Sequence, residues 1–476
     1  MQLRTDGGHP ALVNLKRAAI AVEVCAIGWL MHTEDLNWIA PTLLAFVGAI
    51  ACAFFTFTAW PAGALALLVA SSAVPRIVWT VAGLHIHPEH IVAFSALVAV
   101  LAKRAYHFDR FNLQTFDYFL IAYVALNFFS SVFTSPDPAS TLRWAVLQTV
   151  VILPYFLLRL LVQTREMLWN TWVVLLIAGG AAALYGCVAF ASNRVFGTSF
   201  GVETEQYGAI PGTYGTQYEA NIFGSYTACV AIMFLVGFLM SRDKNRRWWW
   251  VAGFLVSTVA LVISMSRAVL LSFPAAALVV FWMTAKAQHV DTKRILNIVL
   301  VAAVVLLLFI PFLVPMLRER FETLANVNAL EDDTTVTRII QMKVAADNIR
   351  AHPVFGTGTA SFQLFFHWED YVPGGMGDGG GWVGNTPLRV LNDTGVLGLT
   401  AFLGFLASLA WRFRKVAHYS DHRTRTVLVG LMCGTVLYAM TFQSTEATIL
   451  AFTWVHLGLL ASGVAILERE SLQPVF

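Results

Sequence analysis

The chain is 476 residues long, 58% hydrophobic and only 12% charged, with a formal net charge of +3. A soluble protein of this size carries about 25% charged residues, so this balance excludes an ordinary soluble enzyme and points to a polytopic α-helical membrane protein. The five cysteines (Cys25, Cys52, Cys187, Cys229 and Cys433) lie in or beside apolar runs without CxxC spacing, which argues against a disulfide framework or a cysteine metal site.

Residues 1 to 10 are polar, and the first apolar run leads into a second rather than into a signal-peptide cleavage site. Apolar runs long enough to cross a bilayer are predicted near 13–31, 38–57, 60–82, 91–103, 116–133, 143–162, 168–190, 219–240, 248–265, 267–285, 295–316, 385–411, 426–443 and 448–467. The expected fold is therefore all-α, with about 12–14 transmembrane helices. The third span carries Pro75 inside "SSAVPRIVW", and no internal repeat is visible. With the N-terminus inside, 21 of the 31 Lys and Arg residues fall on the inner side, a bias that holds from loop to loop. Both termini are expected in the cytoplasm. The chain divides into N-terminal helices (1–316), a periplasmic loop (317–384) and C-terminal helices (385–476).

Two outer segments are long enough to be functional: 191–218 and 317–384. In the second, "DTTVTRIIQMKVAADNIRAHP" predicts a helix. Asp333 or Thr334 is its N-cap candidate, Val336, Ile339, Ile340 and Val344 form its apolar stripe, and His352-Pro353 is its stop. Such a helix is expected to lie flat on the outer leaflet.

The outer-face cations are Arg267, which opens a span in "SMSRAVLLSF", Arg389 one turn inside another, Arg338 and Arg350 on the loop helix, and Arg76 and Arg143 at helix ends. An arginine facing lipid costs a few kcal/mol, so it faces a cavity or a partner, or else snorkels to the interface. Arginines gathered on the side where basic residues are depleted suit an anionic ligand such as a diphosphate, held bidentately. Glu219 and Asn221 fall in the first turn of a span. Glu219 is open to two readings, a helix cap or a general base. "HIHPEH" (His85, His87, Glu89, His90) fits a solvated turn as well as a metal cluster, and we expect no metal. The glycines of 374–381 read as a hinge or flap rather than a nucleotide loop.

Three stretches together resemble the O-antigen ligase and polymerase superfamily of bacterial envelope glycosyltransferases. They are "SMSRAVLL"; "TRIIQMKVAADNIRAHPVFGTGTASF", with His352, Pro353, Gly356, Gly358 and Phe362; and "GNTPLRVLNDTGVLGL", with Asn385, Gly395 and Gly398. "GTYGTQYEANIFG" adds the Gly…Asn pattern that precedes an earlier span in these proteins. The resemblance covers about residues 205 to 405. It implies an inner-membrane enzyme with an outward cavity under a large periplasmic loop, moving a glycan from undecaprenyl diphosphate to an acceptor sugar. It further implies that arginines hold the diphosphate, that no metal or other cofactor is required, and that the anomeric carbon inverts.

Two positions depart from that pattern. Ligases of this family carry histidine immediately before the asparagine of the third motif, where this chain has Gly384. A further arginine before the Gly of "GTY" is replaced by Ala209-Ile210-Pro211. Candidate replacement bases are Glu219, His367, Asp370 and Asp378, with Glu219 preferred because a helix fixes it. The expected site takes Glu219, Arg267 and Arg338 as catalytic, and Asn221, His367, Trp382, Asn385 and Arg389 as substrate-binding. The expected function is polymerisation of undecaprenyl-diphosphate-linked repeat units into a surface polysaccharide or exopolysaccharide. Alternatives are a ligase moving a finished glycan to a lipid or protein acceptor, and a lipid-linked glycan flippase. The flippase would need ionisable residues at mid-membrane depth, for which Glu23 and Glu446 are the candidates. Expected partners are the donor and acceptor glycans, the bilayer, and a chain-length regulator or export proteins, with no nucleic acid.

Overall fold

A computed structural model describes residues 39–59, 61–81, 84–104, 112–203, 212–241, 247–287, 333–366 and 382–471. Expectations for the spans near 13–31 and 295–316, and for Glu23, His367, Asp370 and Asp378, lie outside these residues. Helices dominate: α1 (Ile39–Ala59), α2 (Pro61–Ser71), α3 (Pro88–Arg104), α4 (Thr115–Phe133), α5 (Pro138–Leu161), α6 (Arg165–Phe196), α7 (Ala220–Met240), α8 (Arg247–Ile263), α9 (Arg267–Ala287), α10 (Asp333–Ala351), the single turn α11 (Phe362–Phe365), α12 (Thr386–Val416), α13 (His422–Thr441) and α14 (Ala451–Ser471). Two short antiparallel hairpins complete it, β1 (Trp79–Val81) with β2 (Leu84–Ile86) and β3 (Val202–Glu203) with β4 (Gly212–Thr213). Eight helices among the described residues are long and apolar enough to cross a membrane. This is an all-α, multi-pass membrane protein.

The third predicted span is not one helix. Helix α2 stops at Ser71, and residues 72–78 run through Pro75 into β1. Proline lacks the N–H and disfavours a helical residue before it, so the apolar run bends back instead of crossing. Glu446, read as an intramembrane charge, lies in the connection between α13 and α14 rather than inside a helix.

Helix α7 sits at the centre. It is apolar on every side, and a helix without a polar face has to be enclosed by others. It packs against α8, α9 and α13. The approach of α6 is set by glycine: a Cβ at Gly186 would meet the Phe223 ring at 2.3 Å, and one at Gly179 would meet Val230 at 2.4 Å. Removing side chains lets two membrane helices touch along their backbones.

Helix α12 is broken at Gly395 (φ 63°, ψ −167°). The His352–Ser361 loop inserts there. Val396 N–H donates to Pro353 O (2.9 Å), Thr357 N–H to Asn392 O (2.9 Å) and Gly358 N–H to Asp393 O (3.0 Å). A Cβ at Gly395 would strike Val354 C and O at 2.3 Å, and Gly356 (φ 71°) has Asp393 C at 2.5 Å. The glycines in these two motifs therefore allow backbone to dock on backbone.

Helix α10 runs over its predicted length and ends before His352-Pro353. Its buried face keeps Ile340 and Val344 of the predicted stripe but not Ile339. Ile339 is 61% exposed, while Gln341, Val344 and Ala345 are buried. The face is set by what α10 meets, namely Phe362, Phe366, Val383 and Leu388, rather than by its own apolar periodicity.

Candidate functional site

One end of the bundle gathers most of the residues singled out from the sequence. Glu219 occupies the N-cap position of α7 with extended backbone (φ −138°, ψ 156°), yet its side chain makes no capping hydrogen bond. The cap reading therefore loses its physical basis, because an N-cap carboxylate acts by accepting a bond from the first-turn N–H groups. Much of the Glu219 side chain is open, but the walls around it strip solvent from the carboxyl and raise it above the ordinary carboxylate range. The Asn221 side chain and the Arg338 charge oppose that shift. Glu203, at the end of β3, is raised as well, first by burial and then by the Glu219 charge, against the pull of Arg76. The Arg76 guanidinium lies 3.6 Å from the Tyr214 ring centroid.

From Glu219 a chain of neighbours leads around a ring. Asn221 Nδ2 donates to Thr445 Oγ1 (3.3 Å) in the α13–α14 connection. The next residue back, Ser444, places its carbonyl 3.8 Å from where a Cβ on Gly384 would lie. That same Cβ position is 4.0 Å from Gln341 Oε1 on α10. Gln341 is three residues from Arg338, hence on the same side of the helix, and the Arg338 charge acts back on Glu219.

The turn that precedes Arg267 packs on α7. A Cβ at Gly224 would meet Ser264 Oγ at 2.4 Å and Ser266 Cβ at 3.3 Å, so the turn before Arg267 rests directly on the second turn of α7. Met265 in that turn has φ 58°, a left-handed conformation that is strained for a residue with a flexible apolar side chain. Such strain costs about 1–3 kcal/mol and is held only where surrounding contacts require it. Helices α7 and α9 thus begin side by side. The start of α12 is stitched to the same region: Thr386 N–H donates to Phe442 O (2.9 Å), Thr386 Oγ1 to Thr445 O (2.9 Å), and Ala447 N–H to Thr386 Oγ1 (2.9 Å).

Three predicted binding residues serve visible structural contacts. Asn385 caps α12 by accepting from Leu388 N–H (2.9 Å) and donates through Nδ2 to Gln443 O (2.9 Å). Arg389 is 2% exposed. It pairs with Asp393 (Nε–Oδ2 3.3 Å) and with Glu446, while Trp382 covers it at 4.6 Å. Asp393 in turn accepts from Ala360 N–H (2.9 Å), so the charges at the mouth of α12 brace the glycine loop. Trp382 is half-buried and meets Trp144 edge-on at 5.1 Å. Arg350 is exposed and paired with Asp347 (2.8 Å), and Arg143 is exposed.

In the "HIHPEH" segment, His87 Nδ1 lies 2.8 Å from Pro75 O and 3.0 Å from the Tyr218 hydroxyl. Among the described residues no group of three or more His, Cys, Asp or Glu is placed to hold a metal ion. Sequence reasoning missed Thr445, Gln341 and the Gly224 contact. Only the last left a signal, a lone glycine inside an apolar helix.

Residues 252–403 match the sequence model of a family described as O-antigen ligase. No curated protein matches the chain. The matched segment holds Arg267, Arg338, Gln341, Gly384 and Arg389, while Glu219, Asn221 and Thr445 come from outside it. That match, in a chain with eight membrane-length helices among its described residues, supports the O-antigen ligase and polymerase superfamily for the segment 252–403.

Proposed function

We propose that the protein polymerises undecaprenyl-diphosphate-linked oligosaccharide repeat units into a surface polysaccharide or exopolysaccharide, from a site on the outer face of the plasma membrane under the 317–384 loop. The observation that carries this reading is Glu219. It is a helix-start carboxylate that caps nothing and feels Arg338, at the start of the helix whose second turn carries the turn before Arg267. In the reaction a hydroxyl of the acceptor sugar attacks the anomeric carbon of the donor glycan. Its proton passes to the Glu219 carboxylate as the new C–O bond forms. The bond from the anomeric carbon to the diphosphate breaks, and the lipid diphosphate leaves as an anion. A single displacement inverts the anomeric centre.

Arg267 and Arg338 are suited to the diphosphate, since guanidinium groups bind its oxygens bidentately and stabilise charge as it develops. The N-termini of α7 and α9 add the positive ends of two helix dipoles, each worth about 0.3–1 kcal/mol toward an anion. With that charge supplied by protein, transfer needs no metal. Gly384 in the position where ligases carry histidine favours the polymerase reading. The description of the matched family as O-antigen ligase favours ligation of a finished glycan to a lipid or protein acceptor instead. Deleting the gene and weighing the lipid-linked glycan that accumulates decides between them: single repeats for a polymerase, finished chains for a ligase. Repeats trapped on the inner face would contradict both and restore the flippase reading.

A further inference from the structure

We propose that Gln341 and the open side-chain position at Gly384 form the acceptor-sugar subsite, with the Gln341 carboxamide hydrogen-bonding a hydroxyl of the incoming acceptor. The inference rests on Glu219 being the base of the proposed reaction.

Two observations meet here. Gln341 is 8% exposed but makes no hydrogen bond to any described residue. Helix α10 turns this carboxamide inward while leaving Ile339 61% exposed. A buried face chosen for apolar packing alone would exchange those two positions. Gln341 is instead turned to the place where a Gly384 side chain would stand, 4.0 Å from its Oε1.

Gly384 supplies the second observation. Its φ is not among the positive values found at Gly197, Gly201, Gly215, Gly356, Gly358 and Gly395, so the backbone does not require glycine. Nor does crowding, because a Cβ there would meet nothing nearer than 3.8 Å. What its glycine leaves is room beside a polar group. A carboxamide offers two N–H donors and a carbonyl acceptor, which suits a sugar hydroxyl that both donates and accepts. The space opens between Gln341 and Ser444, and Ser444 precedes Thr445, the partner of Asn221 in the first turn after Glu219.

The test is initial-rate kinetics on the full-length protein in vesicles, using a lipid-diphosphate-linked glycan as donor and a short acceptor glycan varied independently. Gln341→Leu keeps the size and removes the hydrogen bond. It should raise the acceptor KM about 10-fold, the effect of one lost hydrogen bond, with donor KM unchanged. Gly384→Leu fills the same space from the opposite wall and should raise acceptor KM without touching donor KM. Gly384→Ala should be tolerated. An unchanged acceptor KM in Gln341→Leu and Gly384→Leu overturns the proposal, as does a parallel rise of donor and acceptor KM, which would mark general loosening. Glu219→Gln run in parallel separates the two levels. Inactive Glu219→Gln beside normal Gln341→Leu removes the subsite and leaves the base. Wild-type turnover in Glu219→Gln removes the base and the subsite with it.

Discussion

The two ends of the helix bundle use the same kinds of charged residue in opposite ways. At the end formed by the start of α4 and the finish of α5 and α14, charges are closed in pairs. Asp117 is fully buried and accepts from Arg159 Nη2 (2.9 Å), the Tyr155 hydroxyl (2.7 Å) and Gln114 N–H (2.8 Å). Arg412 binds Glu468 (2.8 Å), and Arg165 pairs with Asp421 (3.2 Å) and Glu470. At the other end Glu219 caps no helix, Gln341 bonds to no described residue, and the Arg267 turn is held in a left-handed conformation at Met265. The difference teaches where to look for chemistry. Charges that satisfy each other hold helices together, whereas polar groups kept short of partners beside a strained turn are arranged for a ligand. The Arg389–Asp393–Glu446 brace shows both habits at the same end, since it is buried and ion-paired while Arg389 Nη2 has no hydrogen-bond partner among the described residues.

The largest effect expected from breaking this contrast is at Arg267. Arg267→Ala should abolish glycan transfer while membrane insertion stays normal, and Arg267→Lys should recover little because a point charge cannot reproduce the bidentate fork. Near-normal activity in the lysine variant would reduce Arg267 to a simple charge. At the closed end, Arg159→Ala leaves Asp117 buried without its cation and should cost about 3–5 kcal/mol of stability, read as a lower unfolding midpoint in detergent. Turnover per folded molecule should hold; its loss would mean that the two ends are not separate in function.

A subtler effect concerns pH. A base works only when ionised, so activity falls as pH drops through its pKa. Arg338 lowers the Glu219 carboxyl against the raising effect of burial, and Arg338→Ala should therefore move the acid limb of kcat/KM to higher pH. A limb that moves to lower pH would contradict the coupling. The smallest effect is at Arg165, a partly exposed pair member whose replacement by alanine should change stability by about 1 kcal/mol or less.

Much of the helical fold was legible in the sequence, the pairing of charges at the closed end was not, and the exceptions have physical causes. The membrane helices follow from unbroken apolar length, and the loop helix from its proline stop. The apparent span at 60–82 failed because Pro75 outweighs hydrophobicity once a helix has to pass through it. The stripe of α10 held at Ile340 and Val344 but not at Ile339, because burial there is dictated by Phe362, Phe366 and Leu388, which arrive from elsewhere in the chain. Glu219 stood open between cap and base, since spacing cannot tell whether a carboxylate bonds its own helix. The broken α12 was hidden for the same reason: Gly395 needs its left-handed φ only because residues 353–358 dock on it.

The central claim is that Glu219 takes the acceptor proton. Its most direct test is single-turnover transfer by Glu219→Gln in vesicles loaded with the lipid-linked donor, measured beside donor binding. The substitution keeps the shape and removes the ability to accept a proton. Turnover should fall about 10²–10⁴-fold, the usual contribution of a positioned base, with donor binding little changed. Wild-type-like turnover in Glu219→Gln, alongside an inactive His367→Ala, would contradict the account and move the base to the loop.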